Sequence, residues 1–152
     1  MNEGWREKAL AEIRSIKPHW AAKYEWGPEV KEQDDRIDVY AHFTQRSKKA
    51  GGSSEKTGDS PGKPKRFVLR LRYKSDFETA GRLEAFVNPE NLEEEGSQYW
   101  PSGVSGFNPT GSPPSICLEG TWGFHSFHHR ERDGRRANLN KLLMEIQKCL
   151  NQ

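Results

Sequence analysis

The residue of this sequence best suited to chemistry is Cys117. It follows an irregular stretch of proline, glycine and serine, PTGSPPS, after one intervening residue, and a side chain at the end of such a loop can be presented to a substrate. Cysteine is a nucleophile in its thiolate form, and a carbonyl group under attack develops negative charge that nearby hydrogen-bond donors stabilise. The sequence therefore predicts a nucleophilic thiol at position 117.

Polar side chains on both sides of Cys117 are candidates to assist it. Asn108 lies nine residues upstream, close enough for the loop to fold back and bring its amide beside the sulfur. His125, His128 and His129 lie eight, eleven and twelve residues downstream, and imidazoles exchange protons near neutral pH. We predict that Asn108 or one of these histidines assists the thiol, with a solvated or packing role as the alternative for each histidine.

Other interpretations of this cysteine stay open. The cluster of Cys117 and the histidines contains one thiol and no Cys-x-x-Cys pair, unlike a zinc site, so we expect no metal. A cysteine hydrolase is a rival, although papain-type enzymes place the histidine much further from the cysteine. Cys117 can also be a small buried residue of a short strand. Cys149, in contrast, falls on the apolar stripe of the last predicted helix, where a cysteine packs as a small hydrophobe.

The composition predicts one domain, residues 1–152, since a chain of 152 residues can bury a single core. Only 32% of the residues are hydrophobic and 30% are charged, so part of the chain is expected to lie outside that core. A net charge of +2 is too balanced for nucleic acid to be the main partner. No run of 18 apolar residues occurs, so we expect a cytoplasmic protein with reduced thiols, no membrane contact and no cofactor.

Two segments at the ends of the chain have the apolar periodicity of helices that pack on a sheet. The first runs from Trp5 to about Lys17 and is ended by Pro18. Its apolar residues are Trp5, Ala9, Leu10, Ile13 and Ile16. The second covers residues 138–150, and Asn138 can cap it. Its apolar residues are Leu139, Leu142, Leu143, Ile146, Cys149 and Leu150.

Between these helices the sequence predicts an antiparallel meander of four strands. The strand segments are residues 24–26, 36–44, 66–73 and 82–87. Residues 46–65 are rich in glycine, serine, proline and lysine and have little apolar surface to bury, which predicts a flexible insertion in a hairpin. Residues 90–115 predict a long irregular segment, in which Tyr99, Trp100 and Phe107 are isolated anchors.

The segment PPSICLE, residues 113–119, resembles the active-site segment of ubiquitin-conjugating (E2) enzymes, in which a Ser-Ile-Cys-Leu-Asp type sequence follows a His-Pro-Asn motif. The sequence Phe-Asn-Pro at 107–109 sits where that motif is expected, and the order of the predicted elements agrees with the family. Trp122 follows the cysteine more closely than in most members. These features look like the short E2-like proteins of bacterial ubiquitin-like conjugation operons, several of which act in antiphage defence.

The resemblance implies an α+β, UBC-like fold with an N-terminal helix, a four-stranded antiparallel meander, a long active-site loop and a C-terminal helix. It implies that Cys117 accepts a ubiquitin-like modifier from an E1-like activating enzyme as a thioester and transfers it to a lysine of a target protein. Asn108, His125 or His128 would assist. The E1-like partner would dock on the first helix, through Trp5 and the exposed Arg6, Lys8 and Arg14. A catalytically silent E2-like binding module is the alternative.

Overall fold

The structure is a computed structural model that describes residues 4–45, 65–101, 103–104, 107–109, 115–116, 121 and 139–151. Over these ranges the protein is an α+β fold, as predicted, in which helices accompany a five-stranded antiparallel sheet and a separate two-stranded one. The helices are α1 (Gly4–Arg14), α2 (Pro18–Tyr24), α3 (Phe77–Ala80) and α4 (Leu139–Leu150). None of the helices in the described part of the chain is long and apolar enough to cross a membrane.

The first helix is shorter than predicted, and a second helix that was not predicted follows it at Pro18. Helix α1 ends at Arg14, three residues earlier than the periodicity suggests, and α2 begins at Pro18. A proline in the first helical turn loses no hydrogen bond and already has a helical φ angle, so Pro18 starts a helix as well as ending one. The buried residues of the α1 region are those of the predicted stripe: Ala9, Ile13 and Ile16.

The predicted strand at residues 24–26 is wrong. Tyr24 is the last residue of α2, and Glu25 takes a left-handed conformation (φ 56°) that ends the helix. Trp26 then turns into the core, where it is fully buried and donates its indole N–H to Gln147 Oε1 at 3.2 Å. Tyr24 and Trp26, which resemble a strand in the sequence, are thus the last residue of a helix and a buried core residue.

Within the described residues the main sheet has five strands in chain order, not the four predicted. They are β1 (Glu29–Glu32), β2 (Ile37–Gln45), β3 (Lys65–Tyr73), β4 (Leu83–Asn88) and β5 (Asn91–Glu95). The two edge strands, β1 and β5, are charged and mostly exposed, so they lack the alternation by which β2 and β3 are predicted. Part of the segment expected to be irregular, residues 90–115, is therefore β5.

The apolar residues that alternate along β2 and β3 lie on the core face, but the strands are not half-buried, because their opposite face is also largely buried. One face of β2 packs Ile37, Val39, Ala41 and Phe43 into the core, and β3 adds Leu69, Leu71 and Tyr73. Helix α4 covers this face, and every apolar residue predicted for its stripe is buried except Cys149, which is half-buried. The predicted cap, Asn138, lies outside the described residues.

The insertion predicted at residues 46–65 joins neighbouring strands. Gln45 at the end of β2 pairs with Lys65 at the start of β3 in antiparallel register, which is the connectivity of a hairpin. Lys65 itself belongs to β3, and residues 46–64 lie outside the described part of the chain.

Candidate functional site

Of the predicted catalytic residues, the structure describes Asn108, which precedes Cys117 in the sequence. Asn108 and Phe107 form strand β6 (Phe107–Asn108), which pairs antiparallel with β7 (Ser115–Ile116). In this register Asn108 lies opposite Ser115, two residues before Cys117 in the sequence. The fold thus brings an exposed asparagine beside the strand that leads into the cysteine, and the predicted proximity of Asn108 to the Cys117 sulfur stays a prediction.

The remaining predicted catalytic residues fall where the structure gives no description. Residues 117–120 and 122–138 lie outside the described ranges, and they include Cys117, His125, His128 and His129. Their predicted roles stay predictions. The nearest described residues before and after the cysteine are Ile116 and Thr121, and both are fully buried.

An aromatic cluster fixes the β6–β7 pair on the sheet. The Phe86 ring of β4 lies 5.0 Å from that of Trp100 and 5.9 Å from that of Phe107, measured between ring centroids. Trp100 and Phe107 are 6.4 Å apart in an edge-to-face arrangement, which is favourable for aromatic pairs. Both are buried, so the prediction that they anchor the long segment is confirmed.

A buried carboxylate holds the chain immediately before Cys117. Glu84 of β4 is only 5% exposed, and its Oε2 accepts a hydrogen bond from the backbone N–H of Ile116 at 2.9 Å. A hydrogen bond to a charged group is stronger than one between neutral groups. Glu84 shares the core face with Leu71, its cross-strand partner, so its charge is directed inward toward β7.

A buried hydroxyl holds the chain shortly after Cys117. Thr121 Oγ1 donates to the carbonyl oxygen of Ile116 at 2.7 Å, which links the residues on either side of 117–120. Thr121 also forms an isolated parallel β-bridge with Arg82, the residue before β4. Both ends of the short segment that contains the cysteine are therefore attached to the start of β4.

Arg82 connects this region to α1. Its guanidinium is 2% exposed and forms an ion pair with Glu12 of α1, and its Nε donates to the phenol oxygen of Tyr73 at 3.1 Å. Burial raises the pKa of Tyr73 well above its ordinary value, so the phenol is neutral at physiological pH. The Glu12 carboxylate thus compensates the buried charge of Arg82.

The residues predicted to bind a partner on α1 differ in how free they are. Lys8 and Arg14 are exposed, as predicted, with Lys8 Nζ 3.3 Å from Glu78 Oε1. Arg6 is only 21% exposed, because its guanidinium donates to the carbonyl oxygens of Gln33 and Asp34 at 2.8 and 2.6 Å. The expectation that Arg6 is a free surface contact is therefore wrong: it stabilises the turn between β1 and β2.

The same guanidinium lies 4.9 Å from the centroid of the Trp5 ring, in a cation–π contact. Trp5 is half-buried and packs against the core. Of the four residues predicted for docking, Lys8 and Arg14 thus present the most surface.

Sequence reasoning missed Glu84, Thr121 and Arg82. Glu84 carries a recognisable signal, because it is a single carboxylate inside the apolar run LEAFV, and a charge in such a run needs a partner. Thr121 carries no such signal. Its importance comes from contacts between segments far apart in the chain, which no local pattern encodes.

No protein-family model, curated protein or solved structure matches this chain. The described ranges contain no group of three or more histidine, cysteine or acidic side chains arranged to hold a metal ion.

Proposed function

We propose that this protein is an E2-like conjugating enzyme, which carries a ubiquitin-like modifier as a thioester on Cys117 and transfers it to an amine of a target protein. The observation that carries the proposal is the pairing of Asn108 with Ser115, since it sets a side-chain amide beside the chain that enters the cysteine. The resemblance of residues 113–119 to the E2 active-site segment supplies the chemistry. The proposal includes a role for the protein in bacterial antiphage defence.

The first step is a transthiolation. The Cys117 thiolate attacks the carbonyl carbon of the thioester between an E1-like enzyme and the modifier. A new carbon–sulfur bond to Cys117 forms as the bond to the E1 sulfur breaks, and the E1 cysteine leaves as a thiolate that water reprotonates. No oxidant or cofactor is needed, because the energy of the acyl bond is retained.

The second step is aminolysis. A lysine amine of the target attacks the Cys117 thioester, the carbon–nitrogen bond forms, the amine loses a proton and Cys117 leaves as a thiolate. Negative charge develops on the carbonyl oxygen in both steps, and one well-placed donor such as Asn108 contributes about a hundredfold in rate. His125 and His128 are the candidates to orient the amine or accept its proton.

The test is a non-reducing gel of the full chain with the E1-like enzyme and the modifier encoded beside its gene, plus ATP. We expect a band heavier by one modifier that disappears when thiol reductant is added. The band should be absent from Cys117→Ala. It should persist in the matched control Cys149→Ala, since Cys149 packs on the core.

If E1-like and modifier proteins that are active together give no such band, the transferase proposal fails. Binding of the modifier without the thioester would then indicate a catalytically silent binding module. Turnover of a thioester substrate without any E1-like enzyme would indicate a cysteine hydrolase.

A further inference from the structure

We infer that Thr121 and Glu84 are positioning residues, which together fix the two ends of the segment that carries Cys117. The inference deepens the proposed function and rests on it in taking Cys117 as the reacting group. It assigns a role to two buried polar side chains that the transfer chemistry itself does not use.

The first anchor acts before the cysteine. Ile116 is fully buried, and its N–H donates to the carboxylate of Glu84, which is also buried. A carboxylate in the core is costly unless it is well hydrogen-bonded, so its retention at this position requires a compensating contact. The Ile116 N–H supplies one such contact, and the bond fixes the backbone one residue before Cys117.

The second anchor acts on the same residue from the other side. The carbonyl oxygen of Ile116 accepts the Thr121 hydroxyl, so the hydrogen-bonding groups of Ile116 are both bonded to side chains. Thr121 is in turn held beside Arg82 by the β-bridge, and Arg82 is held by Glu12. Ile116 is thus tied at two points to the region around the start of β4.

The bond between Thr121 and Ile116 also closes a short loop. Four residues, 117–120, lie between the two bonded residues, so the bond fixes the separation of the two described positions on either side of them. The reacting sulfur of a nucleophilic enzyme must be held in a defined geometry, because a displacement of about 1 Å can cost on the order of a hundredfold in rate. Fixed backbone positions at Ile116 and Thr121 therefore serve the proposed reaction at Cys117.

The test uses a matched pair of substitutions at Thr121 in the Cys149→Ala background, so that Cys117 is the one thiol. Thr121→Val keeps the shape but removes the hydroxyl donor, and Thr121→Ser keeps the donor. The first readout is the pH profile of alkylation by iodoacetamide, which requires no partner protein. The second is the single-turnover discharge of the thioester onto free lysine.

With the loop released, we expect the alkylation profile of Thr121→Val to move from that of the parent protein toward the free-cysteine midpoint of about 8.5. Discharge should fall by about tenfold or more in the same variant. Thr121→Ser should overlay on the parent profile and keep its discharge rate within about threefold, on the same scale of sensitivity to position.

Circular dichroism establishes that each variant is folded. Glu84→Met provides an independent variant at the other anchor, because it fills a similar volume but removes the acceptor for the Ile116 N–H. The expectation for Glu84→Met is the same as for Thr121→Val. The inference therefore stays testable even if one of the two substitutions unfolds the protein.

The inference is overturned if a folded Thr121→Val or Glu84→Met keeps both the parent alkylation profile and the parent discharge rate. A shifted profile in a protein that forms no thioester with active partners would support the anchors and contradict the proposed transferase. A normal thioester, with an unchanged alkylation profile and discharge rate in both variants, would support the transferase and contradict the anchoring role of Thr121 and Glu84.

Discussion

Cys149 shows how its surroundings suppress a thiol. It is half-buried on α4 against the core, and burial, with a smaller contribution from Glu145, raises its pKa above the ordinary value. The thiolate is the reactive form, so a raised pKa leaves less of it at neutral pH. The interpretation of Cys149 as a packing residue agrees with this environment.

From the direction of that shift we predict the reactivity of Cys149 in the Cys117→Ala variant. Because the charged form is disfavoured in the folded protein, iodoacetamide should reach half its maximal rate at a pH above the free-cysteine value of about 8.5. In denaturant the midpoint should return to about that value. A folded-state midpoint at or below that of the denatured protein would contradict the prediction.

The candidate site could be predicted only in part. The sequence predicts Asn108 beside the Cys117 sulfur from a short loop that can fold back, and the register of β6 and β7 pairs Asn108 with Ser115, two residues before the cysteine. The anchors Glu84 and Thr121 bond to Ile116 across 32 and 5 positions of the chain. The first contact depends on how β4 meets β7 and the second on how the chain turns after β7, and hydrophobic periodicity specifies neither.

At the scale of elements, one ion pair joins α1 to the sheet. Arg82 is almost fully buried, and the Glu12 side chain, 18% exposed, neutralises it. Removing one partner of such a pair leaves an uncompensated charge in the core, which costs more than the pair itself contributes. The same arginine is bridged to Thr121, so α1 and the region around Cys117 share one buried group.

We predict that Glu12→Ala lowers the free energy of unfolding by about 3 kcal/mol, because Arg82 is left without its carboxylate. The measurement is urea denaturation followed by tryptophan fluorescence. The control is Glu7→Ala, an exposed position of the same helix, which should change stability by less than about 0.5 kcal/mol. Equal effects of the two substitutions would show that the ion pair does not stabilise the fold.

The elements that bury a regular face could be predicted, and those that do not were missed. Strands β2 and β3 and helix α4 each pack a regular apolar face on the core, so the apolar residues of that face recur at the period of the element. Strands β1 and β5 lie at the edges and expose most of their side chains. Their formation depends on pairing with β2 and β4, which a charged sequence does not reveal.

At the scale of the whole molecule, residues 46–64 connect β2 to β3 and so link the first two strands of the sheet to the last three. We predict that replacing residues 46–64 with a four-residue glycine-containing turn raises the free energy of unfolding by about 1 kcal/mol, since a shorter loop costs less entropy to close. The pairing of Gln45 with Lys65 gives the ends of the replacement. Urea denaturation of the shortened and parent chains measures the change.

A substitution of the same residues by an unstructured Gly/Ser sequence of equal length is the matched control and should leave stability nearly unchanged. Loss of folding on shortening, with normal folding of the control, would mean that the length of the connection is itself required.

The order of the strands has a consequence for how the protein is made. Every strand of the main sheet pairs with its neighbour in the sequence, so the sheet can assemble progressively as the chain leaves the ribosome. Its apolar face, however, is covered in part by α4, which follows all five strands in the chain. A nascent chain that stalls before Leu139 therefore has a hydrophobic sheet face that α1 covers only in part, the kind of surface that chaperones bind and that makes truncated products aggregate.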